Sequence, residues 1–195
     1  MINAIVLAAG ESRRMGKPKP LLRFEDTTFL GQIVSVLHRL HADWITVVLG
    51  AGAEAVQRSV DLSGVEVVIN VDYCQGQLSS LIAALRHVPA EADAILLCLV
   101  DNPFITPEIV DRVIAAYRET AGAIVIPVHD RRRGHPTLFA RSLFDELLNA
   151  PADEGARHVV HANADRVVEV TVPENAVLAG IDTPEQYRAH FGIDP

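Results

Sequence analysis

The sequence predicts an α/β chain: a three-layer α/β/α sandwich around a mostly parallel, Rossmann-like sheet. Three observations predict it. From residue 2 to residue 128, short β-branched apolar runs alternate with longer amphipathic stretches. Several of those runs are apolar at nearly every position, the pattern of strands covered on both faces rather than one. The chain has 195 residues, of which 49% are hydrophobic and 22% charged, and no long Pro/Gly/Ser linker, repeat or low-complexity tract interrupts it. That is the size and composition of one globular domain, residues 1–195.

The elements follow in order. INAIVLA (2–8) reads as the first strand and residues 28–40 as the first helix. WITVVL (44–49) and VEVVI (65–69) read as strands on either side of a helix at 53–61, and a helix at 78–88 precedes the strand DAILLCLV (93–100). The next helix, 107–119, is opened by Thr106-Pro107-Glu108, with proline at the first helical position where its missing N–H costs nothing. AIVIPV (123–128) is a strand, after which the alternation loosens. HDRRRGHP reads as a loop and TLFA as a short strand, and helices are expected at 142–149 and 154–162. RVVEVT (166–171) is expected as a late strand pairing antiparallel at an edge, and a last helix, 184–191, is opened by Thr183-Pro184-Glu185.

Charge narrows the partners. Seventeen Lys and Arg against 25 Asp and Glu leave a net charge of −8, a field that repels polynucleotides and anionic membrane surfaces. The opening MINAIVLAAG has no basic leader, and no apolar run approaches the ~20 residues that span a bilayer. Two cysteines, Cys74 and Cys98, are too few for a disulfide framework. A reduced, cytoplasmic setting is the expectation.

In open sheets of this kind ligands sit beyond the carboxyl ends of the strands, so the residues after each apolar run matter most. The stretch after the first run, LAAGESRRMGKPKPLL, holds both lysines of the chain, Lys17 and Lys19, together with Arg13 and Arg14. Four of 17 basic residues thus cluster in an acidic protein, beside Gly10 and Gly16, which let backbone N–H groups approach an anion. The loop is not a Walker A motif: five residues separate the glycines where that motif has four, and Pro18 follows Lys17 where it has Ser or Thr. A triphosphate cradle is the functional reading, and a solvated basic loop is the alternative.

Gly10-x-Ser12-x-Arg14-Met15-Gly16-x-x-Lys19 after Leu7-Ala8-Ala9 resembles the signature loop of the MobA-like NTP transferases, which attach a nucleotide to the molybdenum cofactor. Further segments resemble the same family in order: Gly76-Gln77-Leu78-Ser79-Ser80-Leu81, Leu99-Val100-Asp101-Asn102-Pro103, Gly134-His135-Pro136 with Leu138-Phe139, Asp153-Glu154-Gly155-Ala156-Arg157, and Ile181-Asp182-Thr183-Pro184-Glu185. The resemblance covers residues 4–191 and implies the fold of the nucleotide-diphospho-sugar transferases. It implies nucleotide binding by Leu7, Ala8, Ala9, Gly10, Ser12, Arg14, Gly16, Lys19, Gly76, Ser79 and Ser80, and acceptor binding by Gly134, His135, Pro136, Asp153 and Arg157. Cytidylyl members resemble the Leu7-Ala8-Ala9-Gly10 found here, whereas the guanylyl branch typically has Gly at the third position, which favours CTP over GTP. The chain departs from its relatives at Gly180, where many have a further Asp, and at His135, where they often have Asn.

Asp101 follows an apolar run and Pro103 stops the strand just beyond it, so its carboxylate is expected at the sheet's carboxyl edge. A hard oxygen ligand there suits Mg²⁺, or Mn²⁺, which takes one or two carboxylates plus substrate phosphates. The alternative role is a helix cap, but Thr106 already stands before Pro107. Asp182 is the candidate second ligand, because Thr183 and Gln186 supply their own capping box; a favourable charge at a helix N-terminus is its alternative role.

The chemistry this implies is attack by the terminal phosphate of a molybdopterin acceptor on the α-phosphate of CTP, with Arg14, Lys19 and Asp101 catalytic and no activated nucleophile needed. Guanylyl transfer, or another NTP and acceptor, is the near alternative. Arg131, Arg132 and Arg133 fit a contact to the acceptor's phosphate or pterin, with a solvated face the favoured reading, and Asp153 with Arg157 fits a surface ion pair as well as an acceptor contact. Two rivals come from other classes. Gly50-Ala51-Gly52-Ala53-Glu54-Ala55, with Asp72 further on, fits the dinucleotide fingerprint of a NAD-dependent oxidoreductase. A non-catalytic protein that hands the cofactor over, in transient contact with a molybdoenzyme or its chaperone, is the other. The histidine pairs His38/His41 and His158/His161 lack the further ligands of a zinc site and read as solvated helix histidines.

Overall fold

The computed structural model describes residues 1–40, 43–120, 122–173 and 175–195, which leaves His41 of the first histidine pair outside the described residues. Strand β1 (Ile2–Ala8) is followed by a long loop, the small hairpin β2 (Arg23–Phe24) and β3 (Thr27–Thr28), and helix α1 (Phe29–Arg39). Strands β4 (Trp44–Leu49), β5 (Glu66–Ile69) and β6 (Ala94–Leu99) then alternate with helices α2 (Ala53–Ser59), α3 (Gln77–Leu85) and α4 (Pro107–Thr120). The second half adds β7 (Ile124–His129), β8 (Arg132–Arg133), β9 (Thr137–Ala140), α5 (Phe144–Leu148), α6 (Ala156–Ala162), β10 (Val167–Thr171) and α7 (Pro184–Phe191). All the expected strands and helices form. Strands β2, β3 and β8, of two residues each, are too short for hydrophobic periodicity to register.

The main sheet runs β10-β7-β9-β6-β1-β4-β5, with β8 paired to β7. Strands β6, β1, β4 and β5 are mutually parallel. Successive side chains of β1 point to opposite faces, and both faces are buried. Ile2, Ala4, Val6 and Ala8 join one core with α1, α2, α4 and α7, while Ile5 and Leu7 join the other with α3, α5 and α6. This is why the run INAIVLA is apolar throughout, and it makes the three layers.

One expectation is corrected. Strand β10 does lie at the edge, but it runs parallel to β7, and the antiparallel strands are β9, inserted between β7 and β6, and the two-residue β8. The segment between β7 and β9 is too short for a crossover, so β9 has to turn back beside β7. The chain then reverses again through α5 and α6, and β10 emerges parallel to β7 on its open side. No helix among the described residues is long and apolar enough to cross a membrane.

Candidate active site

From β1 the chain steps outward to β4 and β5, then returns to place β6 on the opposite side of β1. This reversal opens a crevice at the carboxyl ends of β1 and β6, the place where such sheets bind ligands. The segments following these two strands are drawn together: Val100 N–H donates to Leu7 O at 3.1 Å, and Ile181 N–H donates to Asp101 O at 2.8 Å. Between them lies a cavity of about 430 Å³, walled by the loop after β1, the start of α3, Asp101 and Asp182.

The loop after β1 is held by its own backbone. Ser12 adopts a positive φ of 54°, rare for a residue with a side chain, and its carbonyl accepts from Met15 N–H at 2.9 Å and Gly16 N–H at 3.0 Å. Met15 is buried and anchors the turn in the core. The Ser12 hydroxyl accepts from Lys19 N–H at 3.0 Å, which fixes where the lysine leaves the backbone. Leu7, Ala9, Gly10, Ser12, Arg14 and Lys19 line the cavity; Ala8 points into the core on the other side of the sheet and Gly16 forms the turn behind.

Four charged side chains meet here. Lys19 Nζ donates to Asp101 Oδ2 at 3.2 Å and to Asp182 Oδ1 at 2.5 Å, and Arg14 Nη2 lies 3.1 Å from Asp182 Oδ2. The lysine side chain is only 12% exposed, whereas that of Arg14 is 71% exposed. Burial by itself pushes the Asp182 carboxyl upward, but the Lys19 hydrogen bond and the charges of Lys19 and Arg14 outweigh it and hold the group below the usual carboxylate range. Neither acid serves as a helix cap. Thr106 Oγ1 accepts from Ile109 N–H at 3.4 Å, and the Thr183–Gln186 capping box closes α7, with the backbone N–H of Asp182 donating to Gln186 Oε1 at 2.7 Å. Two carboxylates converging on one cation form a hard oxygen donor set of the kind Mg²⁺ or Mn²⁺ takes together with waters and phosphates. The residues present therefore fit a divalent ion.

Across the cavity, Gly76 precedes α3, whose first turn faces the loop through Gln77 and Ser80. Buried Asn70 holds that turn, its Nδ2 donating to Ser79 Oγ at 2.9 Å and to Ser80 Oγ at 3.0 Å. Ser80 borders the cavity, while the Ser79 hydroxyl is bonded to the carbonyls of Asp72 and Gly76. Sequence reasoning missed Tyr73 and Cys74 in this wall; no spacing rule singles out a short 3₁₀ turn. Cys74 is exposed and Cys98 is buried, its thiol pushed up to about 12 by burial. Iodoacetamide at pH 8 should therefore label one thiol of the native protein, read by intact mass, and a nucleotide in the cavity should slow that labelling.

A second cavity of about 310 Å³ adjoins the first, and Leu7 and Gln77 line both. Gly134, His135 and Arg157 line it, as do Arg133 and His161, two side chains for which a solvated surface was the favoured sequence reading. Pro136 is buried behind Gly134 and His135, and Asp153 is exposed outside the lining. Helix α6 begins at Ala156, so Asp153 and Arg157 do not share a helix face; Glu154 and His158 pair instead, at 3.0 Å. Gly134 is required by close approach, since a Cβ there would sit 2.2 Å from the Val177 carbonyl oxygen. Burial pushes the His135 imidazole below its usual range, against the opposing pull of the Asp101 charge, and its Nδ1 is buried without a partner.

The rival glycine motif has a different job. A Cβ on Gly50 would lie 2.7 Å from the Ala9 carbonyl oxygen and 2.8 Å from Tyr73 Cβ, so Gly50 lets β4 end directly beneath the loop after β1. Neither cavity is lined by Gly50, Gly52 or Asp72.

Comparison with known proteins agrees with this geometry. The MobA-like NTP transferase domain matches residues 4–167. The chain is 29% identical to the molybdenum cofactor cytidylyltransferase of Escherichia coli, over 95% of this chain and 93% of that one. It is 28% identical to nicotine blue oxidoreductase of Paenarthrobacter nicotinovorans, over 96% and 95%. It is 31% identical to a probable molybdenum cofactor guanylyltransferase of Mycobacterium avium, over 95% and 92%. Among solved structures, Rv0371c from Mycobacterium tuberculosis superposes with a TM-score of 0.87 at 34% identity, covering 98% of both chains. A manganese complex of Rv0371c superposes with a TM-score of 0.81 at 33% identity, covering 96% of both. The basic loop after β1, the acid after β6 and the match across most of the sequence lead to one conclusion: this chain belongs to the MobA-like NTP transferase family and is a nucleotidyltransferase.

Proposed function

We propose that the chain transfers CMP from CTP to the terminal phosphate of the molybdenum cofactor in its molybdopterin form and releases pyrophosphate. The observation that carries this reading is the convergence of Arg14, Lys19, Asp101 and Asp182 on one cavity that opens into a second. The first cavity takes the nucleotide and the second the acceptor. An acceptor phosphate oxygen forms the new bond to the α-phosphorus while the bond from that phosphorus to the pyrophosphate oxygen breaks. A phosphate is already ionised at neutral pH, so no general base is required, and catalysis rests on alignment and charge neutralisation.

Arg14 and Lys19 neutralise the β- and γ-phosphates and the departing pyrophosphate. Asp101 and Asp182 would hold Mg²⁺ or Mn²⁺, which when bound supplies further neutralisation at phosphate oxygens. Gly76 and the first turn of α3 offer backbone N–H groups to the nucleotide, and Ser79 and Ser80, tied to Asn70, keep that turn in place. Gly134, His135 and Arg157 contact the acceptor from the second cavity, with Pro136 setting the path of the loop; Asp153, on the exposed approach, would act only on an acceptor that extends beyond the cavity. Ala9 supports CTP over GTP, because its methyl group narrows the wall where guanylyl relatives have glycine. Cytidylyl and guanylyl relatives lie at nearly the same identity, so the choice of base stands on that position.

The test is pyrophosphate release by the purified protein with Mg²⁺ and molybdopterin, offering CTP, GTP, ATP and UTP separately. Release with CTP alone is expected. Release with GTP alone would keep the chemistry and overturn the reading of Ala9. No release with any nucleotide, alongside binding of NADH, would move the activity to the oxidoreductase class that one relative's name describes.

A further inference from the structure

We infer that Lys19 is the built-in counter-ion of the Asp101 and Asp182 carboxylates, and that its ammonium group keeps a free divalent cation out of the site until a triphosphate draws the lysine away. The inference rests on the reading that these carboxylates hold the metal.

The ammonium occupies the point on which both acids converge, 3.2 Å from Asp101 Oδ2 and 2.5 Å from Asp182 Oδ1. A cation held by Asp101 Oδ2 and Asp182 Oδ1 would compete with Nζ for the same place. Lys19 cannot easily be pushed aside into water, because its backbone is tied to Ser12 Oγ and its side chain is 12% exposed. Arg14 adds a second positive charge on the other oxygen of Asp182. Two cations and two carboxylates make the cluster neutral, so a metal arriving alone would give it two uncompensated positive charges in a partly buried place. A triphosphate alters that balance: it offers the ammonium a stronger anionic partner and leaves two vacated carboxylates for the metal. Metal and nucleotide then bind as a linked pair, each raising the affinity of the other by the same factor. The other lysine, Lys17, is exposed and does not line the cavity.

The test uses Mn²⁺ alone, with no nucleotide, and counts free ion by electron paramagnetic resonance. Wild type should bind Mn²⁺ weakly and Lys19→Met at least tenfold more tightly. Lys19→Arg, which keeps the charge, should stay as weak as wild type, and adding Asp182→Asn to Lys19→Met should abolish the gain. Equal binding by wild type and Lys19→Met would overturn the inference, as would tight binding by Lys19→Arg or a gain that survives in the double variant. Each variant is first melted by circular dichroism, and Lys19→Gln replaces Lys19→Met if the latter does not unfold cooperatively. This readout is separate from the choice of substrate. A chain that releases no pyrophosphate with any nucleotide yet shows the Lys19→Met gain defeats the proposed reaction and leaves this inference standing.

Discussion

Asp101→Asn is expected to lower kcat/KM for nucleotidyl transfer by about 10²–10³, or ~3–4 kcal/mol of transition-state stabilisation. The substitution keeps the size of the side chain and removes one negative charge from the site. Asp101 stands just beyond β6, its carbonyl bonded to Ile181 N–H, so the backbone that carries it stays in place when the carboxylate is changed. When Asp101 is neutralised, Lys19, only 12% exposed, keeps a second carboxylate partner in Asp182 Oδ1 at 2.5 Å, so no charge is left unpaired in the site. Urea unfolding should therefore shift by less than about 1 kcal/mol while steady-state kinetics collapse. A fall in stability that matched the fall in activity would mean that Asp101 is a structural acid.

Tyr187→Ala is expected to have the largest effect on stability, about 3–5 kcal/mol, read as a lower urea midpoint and a melting temperature lower by on the order of 10 °C. The Tyr187 side chain is 1% exposed, its ring centroid lies 4.7 Å from that of Phe191 and 6.0 Å from that of Phe29, and its hydroxyl donates to Arg23 O at 2.9 Å. Phe24, Phe104 and Phe191 complete the cluster that fixes α7 and the β2–β3 hairpin against the sheet. Because α7 begins at the Thr183 cap, this packing also sets where Asp182 stands. Tyr187→Phe, which loses only the hydrogen bond, should cost about 1 kcal/mol. A cost for Tyr187→Ala near that smaller figure would show that the aromatic cluster does not hold the helix.

The parallel half of the sheet was legible because strands buried on both faces leave an unbroken apolar run, as AILLCLV does before Asp101. Helix starts were legible where the chemistry is local: the Thr183–Gln186 box can be read from four adjacent residues, and the structure contains it. Strand direction is not local. TLFA and RVVEVT carry no mark of which neighbour each will have, and the length of the connection from β7 decides that β9 turns back and β10 does not.

The same division holds for the site. The basic loop and the strand-end acid stood out by composition and position, but nothing in the spacing of Lys19 and Asp182 says that they meet at 2.5 Å; the Ile181–Asp101 hydrogen bond brings them together. The fingerprint at Gly50 and Gly52 stood as a rival reading for a similar reason. A glycine needed for close approach to the Ala9 carbonyl looks the same in sequence as one needed for a pyrophosphate. His161 and Arg133 read as solvated because they lie on polar segments, yet both border the second cavity, where a ligand surface has to be partly polar.

The most direct test of the account follows the α-phosphate itself, by incubating the protein with Mg²⁺, molybdopterin and CTP carrying a radioactive α-phosphorus, then separating the products. The label is expected to pass to the pterin in step with one equivalent of unlabelled pyrophosphate, and Asp101→Asn to stop both. Label recovered only as free CMP would make the protein a hydrolase, and label left in CTP would contradict the assignment of the two cavities to nucleotide and acceptor.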